Sequence, residues 1–132
     1  MVWSVGGWMV TVRALEASQP LLEKPAERGT TGLVWSAQLD REALGGWLTV
    51  RTRQPGDRFQ PLGMGREKKL QDFFVDAKVP RHWRDQVPLL VSGKGIAWIV
   101  GYRIADWAKI ETGEPPARPA VSIEFESQTS NA

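Results

Sequence analysis

The chain has 132 residues, 42% hydrophobic and 24% charged, a balance that suits one globular domain with a core of its own. A formal net charge of +2, no cysteine and a single histidine, His82, exclude a disulfide framework and a thiolate metal site and leave little imidazole for zinc or acid–base chemistry. No apolar run approaches the ~18 residues of a membrane span, and the opening MVWSVGGWMV lacks the basic region of a signal peptide; with no cysteine, a reducing cytoplasm is the expected setting.

Residues 2–13, VWSVGGWMVTVR, read as a β-hairpin turning at Gly6-Gly7. Residues 18–32, rich in Ser, Pro, Glu, Lys, Gly and Thr, read as a loop. LVWSAQL at 33–39 is a strand, after which Asp40 caps a short helical turn to Leu44 that Gly45-Gly46 ends. WLTVRTR at 47–53 alternates as a strand whose later, polar half reaches solvent. Gln54-Pro55-Gly56-Asp57 is a turn, and PLGMG at 61–65 a second glycine-bearing loop. Leu70, Phe73, Phe74 and Ala77 then form one apolar helical stripe. Pro80 stops that helix and opens a short one over RHWRDQ, before Pro88. PLLV at 88–91 and IAWIV at 96–100 make a hairpin, which Tyr102–Ile110 extends. A Pro-rich stretch over 111–120 leads to a last strand, VSIEF at 121–125.

The fold class expected from this order is α+β, mostly β: a β-sandwich-like domain with two or three short helices interrupting the middle, and not a βαβ series. Residues 1–126 are read as a single domain and 127–132 as a disordered tail.

Charge is unevenly placed. Residues 51–109 hold 12 Lys/Arg against 6 Asp/Glu, and the remainder 5 against 9, so a basic middle lies between acidic flanks. That is the footprint of a polyanion site, with a solvated surface as the plain alternative. RTRQPGDRFQPLGMGREKKLQDFF, residues 51–74, is its densest part. Arg51, Arg53, Arg58, Arg66, Lys68 and Lys69 gather there on loops, a strand end and a helix start, with Gly56, Gly63 and Gly65 letting backbone N–H groups approach an anion. Cations at a helix N-terminus oppose its dipole, and a bound phosphate removes the conflict; alternatively the lysines face water with Asp72 and Asp76 as partners. Adding Arg81, Arg84 and Arg103 completes the candidate contact set. PLGMGREKK lacks the spacing of a nucleotide-binding loop.

Catalysis has weaker candidates. Asp57, Asp72 and Asp76 could pair as acid and base but more often hold neighbouring arginines; His82 and Asp85 form a dyad without a nucleophile. No catalytic residue and no metal ligand is assigned. Among seven tryptophans, Trp3, Trp8, Trp35, Trp47 and Trp98 read as core or sheet-face residues. Trp83 and Trp107 lie in the basic region and are suited to stacking on bases, although packing is the better reading for both.

The run RTRQPGDRFQPLGMGREKKLQDFFVDAKVPRHWRDQVPLLV, followed by WIVGYRI, resembles the C-terminal domain of bacterial tRNA(Ile)-lysidine synthetases. R-x-R-x-P-G-D-R-F-x-P-L-G-M-G, K-K-L-x-D-F-F-x-D-x-K-V-P, P-L-L-V and G-Y-R-I carry the match, which is densest over residues 47–105. The resemblance implies a fold similar to a β-rich module of the phenylalanyl-tRNA synthetase β subunit. It also implies a parent ligase that adenylates the wobble cytidine of tRNA(Ile) bearing a CAU anticodon, using ATP and Mg, and then attaches lysine. That chemistry belongs to an N-terminal catalytic domain with an SGGxDS loop, a motif absent from this chain. The chain is therefore expected to be an excised domain or a stand-alone relative, inactive alone, without a cofactor of its own, holding tRNA(Ile) near its acceptor stem. Two rival functions are a protein-docking module that orients the catalytic domain, with little RNA affinity, and a small enzyme using Asp57, Asp72 or His82.

Overall fold

A computed structural model of the chain describes residues 2–15, 34–110 and 119–127. The loop expected over 18–32 lies outside the described residues, as does most of the expected 111–120 linker and the tail beyond Ser127. The architecture is mostly β, with antiparallel sheets and short helices, as the pattern of strands and turns predicts. Contacts gather into two compact units, Met1–Glu42 with Ile110–Ala132 and Ala43–Lys109.

In the first unit, β1 (Val2–Val5) and β2 (Trp8–Leu15) form the expected hairpin, with Gly6 and Gly7 at φ of 52° and 82°. Both turn positions need a positive φ, which glycine adopts without a Cβ clash. β10 (Ala120–Ser127) lies between β2 and β3 (Val34–Asp40), in the order β1-β2-β10-β3. The last strand runs through Ser127, the residue assigned to the tail from sequence. Val121, Ile123 and Phe125 alternate as buried positions along it, and Trp8 meets the Phe125 ring edge-on with centroids 6.1 Å apart. Asp40 Oδ1 accepts the Glu42 N–H at 2.9 Å, the cap expected for α1 (Arg41–Leu44).

The second unit carries the basic stretch. Its sheet has the order β4-β7-β8-β9, formed by Leu48–Arg51, Leu89–Ser92, Gly95–Ile99 and Arg103–Ile104. Every residue of β7 is buried, as is all of β8 except Gly95, so these central strands bury both faces and read as continuous apolar runs. The strand expected over 47–53 is shorter: Leu48–Arg51 pair with β7, and Thr52-Arg53 leave the sheet toward the turn. Trp47, expected on a sheet face, is 56% exposed, because it precedes the paired segment.

α2 (Leu70–Asp76) buries Leu70, Phe73 and Phe74, but Ala77 is exposed at its C-cap and leaves the stripe. Termination also comes earlier than Pro80. Val79 N–H donates to Phe74 O and Lys78 N–H to Val75 O, both at 3.0 Å, with Lys78 at φ 57°. This is a Schellman cap with lysine where glycine is usual, and Val79 and Phe74 are the buried apolar pair beside it. RHWRDQ forms its short helix as one 3₁₀ turn, Arg81–Trp83, closed by Arg84 N–H on Arg81 O, and one further turn in which Gln86 N–H donates to Trp83 O.

Lys68 and Lys69 are not helical. They form β6 and pair with β5 (Arg58–Phe59) in a two-stranded ribbon, Arg58 opposite Lys69 and Phe59 opposite Lys68. Phe59 is 1% exposed and meets Phe73 edge-on at 5.4 Å, which fixes the ribbon against α2. Among the described residues no helix is long and apolar enough to cross a membrane.

Candidate functional site

Three segments of the second unit surround a cleft of about 780 Å³: the turn after β4, the β5–β6 ribbon with the start of α2, and the Arg81–Trp83 turn with the residues following it. Arg53, Arg58, Lys69, Arg81 and Arg84 line it, against two carboxylates, Asp57 and Asp85. Each arrives for a local reason. The period of two in β6 puts Lys69 and Lys68 on opposite faces, so only Lys69 lines the cleft. A 3₁₀ repeat of three residues brings Arg81 and Arg84 to one side of their turn.

The cleft wall is held from behind. Arg51 grips Asp57 with both terminal nitrogens, Nη1 to Oδ2 at 2.9 Å and Nη2 to Oδ1 at 3.0 Å, and Gln54 N–H donates to Oδ2 at 2.8 Å. Partial burial pushes the Asp57 carboxyl up, but the Arg51 and Gln54 hydrogen bonds and the Arg51 charge outweigh it and hold the group below the usual carboxylate range. Within this turn, Asp57 N–H reaches Gln54 O at 3.2 Å, Gly56 takes φ 85°, and Asp57 O accepts the first α2 amide, Leu70 N–H, at 2.9 Å. Turn, ribbon and helix start are thus tied together by one aspartate.

The nine residues chosen from sequence therefore divide. Arg53, Arg58, Lys69, Arg81 and Arg84 are brought together. Arg51 stands behind the wall, bound to Asp57. Lys68 is paired with Asp76, the arrangement in which the lysine serves the helix rather than an anion. Arg66 is exposed in the loop before β6, and Arg103 lies over the Phe73 ring, 6.0 Å from its centroid. Neither Arg66 nor Arg103 lines the cleft. Two cleft cations also have partners: Arg53 Nε bonds Asp85 at 2.7 Å, and Arg58 lies 3.7 Å from Glu67. Arg84 Nε donates to Val79 O at 2.9 Å, which anchors the 3₁₀ segment.

Other sequence expectations change. Gly63 N–H is taken by Asp106 Oδ1 at 3.1 Å, so that glycine loop is fastened to the chain's own carboxylate. Gly63 and Lys109 together hold the Asp106 carboxyl below its usual range, the Gly63 hydrogen bond contributing most. Asp85 is engaged by Arg53, and His82 is exposed with no hydrogen bond or ion pair to Asp85, so no His82–Asp85 dyad forms. Trp83, read as packing, is 44% exposed, and the Arg81–Trp83 turn buries none of its residues. Its charged neighbours Arg81, His82, Arg84 and Asp85 were the available signal. Gln54 and Gln71 also line the cleft, and nothing in their spacing marked them. Among the described residues no three His, Asp or Glu side chains gather as a metal site.

Fold and cleft define the class: an antiparallel β-rich module with a cation-lined groove. More narrowly, the chain belongs to the family described as the TilS substrate C-terminal domain, whose model matches residues 48–120 and so takes in the whole cleft. A tRNA(Ile)-lysidine synthase of Dehalococcoides mccartyi (strain CBDB1) is 43% identical over 119 residues, 90% of this chain and 23% of the relative. A second, from Symbiobacterium thermophilum, is 60% identical over 63 residues, 48% of this chain and 13% of the relative. The chain thus spans less than a quarter of the length of these relatives. The crystal structure of a TILS C-terminal domain superposes with a TM-score of 0.69, at 24% identity, covering 95% of this chain and 88% of that one. An N-terminal fragment of the phenylalanyl-tRNA synthetase β subunit from Pyrococcus horikoshii shares the fold at a TM-score of 0.56 and 14% identity, covering 74% of this chain and 29% of that one.

Proposed function

We propose that this chain is the tRNA-holding C-terminal domain of an ATP-dependent ligase that attaches lysine to the wobble cytidine of tRNA(Ile) with a CAU anticodon. The carrying observation is the cleft: five cations from three segments converge on one groove inside the stretch that matches the family. Such a groove recognises phosphate, by bidentate Arg contacts and by Lys as a point charge. The acceptor stem is the part of the tRNA it holds, and the work is done in the cytoplasm.

ATP and Mg belong to the catalytic domain of the same polypeptide. Here the chain's first Gly-Gly pair closes the β1–β2 hairpin and is followed by Trp8, so it forms no SGGxDS loop. The chain alone neither adenylates tRNA nor releases pyrophosphate; AMP formation above a no-protein control would overturn that statement.

Binding of tRNA(Ile) to the chain, titrated with salt, tests the main reading. With about four to six phosphate contacts, log K falls with log salt at a slope of roughly −3 to −5. A flat affinity, or none at low salt, would favour the protein-docking role.

A further inference from the structure

We infer that the cleft takes an unpaired RNA segment, and that Trp83, in the turn that brings Arg81 and Arg84 to the cleft, is the stacking platform for one of that segment's bases. The inference rests on the tRNA-binding reading and narrows it from the acceptor stem to the unpaired stretch at the end of that stem.

The first observation is shape. A cleft of about 780 Å³ falls in the size range of pockets that enclose small organic ligands. The phosphates of a double helix lie on a convex surface, whereas an unpaired nucleotide can enter a groove and surround itself with donors. The lining suits such a guest. Besides its five cations the cleft presents Pro55 as an apolar surface and Gln54 and Gln71 as amides, which both donate and accept. Base edges need both; a purely phosphate-binding surface needs neither amides nor apolar surface.

Trp83 is the second observation, and it stands independently of cleft shape. The 3₁₀ turn Arg81–Trp83 buries none of its residues. Polar contacts tie the segment down: Arg84 Nε donates to Val79 O at 2.9 Å and Arg53 Nε to Asp85 Oδ1 at 2.7 Å. The indole of Trp83 is 44% exposed, so a large part of its ring stays open to solvent. Arg84, next after it in the chain, and Arg81, two residues before it, both line the cleft. Cations in a groove with an exposed aromatic ring beside them are the arrangement by which proteins track a strand and stack its bases.

The test uses the 132-residue chain and two probes, a short RNA hairpin with a blunt end and the same hairpin with a single-stranded 3′ extension of a few nucleotides. The extended hairpin binds more tightly than the blunt one. Trp83→Ala lowers affinity for the extended probe about fivefold or more and leaves the blunt probe nearly unchanged, a selectivity that a loss of folding would not give. Trp83→Phe restores most of the difference, since any aromatic face supports stacking. Equal affinity of the parent for both probes, or a preference that survives Trp83→Ala, overturns this inference while leaving tRNA binding intact. Binding of neither probe, together with failure to bind tRNA, overturns both.

Discussion

Replacing Asp57 by Asn probes the joint on which the cleft wall depends. The two carboxylate oxygens accept from Arg51 at 2.9 and 3.0 Å and from Gln54 N–H at 2.8 Å, and the paired side chains are 27% and 13% exposed for Arg51 and Asp57. Asn keeps one acceptor oxygen, loses the charge, and turns an NH₂ toward the guanidinium. Hydrogen bonds to charged groups contribute about 1.5–3 kcal/mol each when buried, and exposed ion pairs about 0–1 kcal/mol. For this partly buried pair the expected loss is ~2 kcal/mol at neutral pH. The sign with pH follows from the depressed carboxyl. Its stabilisation is fully present above the ordinary carboxylate value of 3.8, and is lost as pH falls below it through the lower folded value. Urea denaturation of both proteins therefore shows a constant gap from pH 7 down to about pH 5, closing toward pH 3. Arg51→Gln completes a double-mutant cycle with a coupling of at least ~1 kcal/mol. A gap below ~0.5 kcal/mol at pH 7, or one that persists unchanged at pH 3, would refute the role given to Asp57.

Four further substitutions separate packing from binding. Phe73→Ala removes a ring that is 6% exposed and in edge contact with Phe59 and Phe74, and costs ~3–5 kcal/mol by urea denaturation. Lys78→Gly relieves the left-handed backbone at φ 57° and raises stability by ~0.5–1 kcal/mol, read from the same curves. Lys69→Glu leaves the melting temperature nearly unchanged and weakens tRNA binding by at least ~1 kcal/mol, because this side chain is exposed and lines the cleft. Lys68→Glu does the reverse, setting two carboxylates together at Asp76, lowering stability by ~0.5–1 kcal/mol and sparing tRNA affinity. Equal effects of the two glutamates on both readouts would count against the division between them.

Local patterns in the sequence carried the β-rich class, the Gly6-Gly7 hairpin, the Asp40 cap, the Gln54–Asp57 turn and the apolar stripe of Leu70, Phe73 and Phe74. Each of these is decided within a few residues, by backbone angles, a short hydrogen bond or a spacing, so the chain's order alone displays it. The basic stretch was visible for the same reason, since net charge over a window needs no coordinates. What the tertiary structure decided is which cation faces what. Lys68 and Lys69 are adjacent and identical in sequence, yet ribbon pairing with Arg58-Phe59 sends one to Asp76 and the other to the cleft. Arg51 and Arg53 repeat the lesson: one is bound to Asp57, six residues away, and the other to Asp85, thirty-two away. A charged side chain's role depends on the partner that long-range folding brings within hydrogen-bond reach, and neither charge nor spacing encodes that distance.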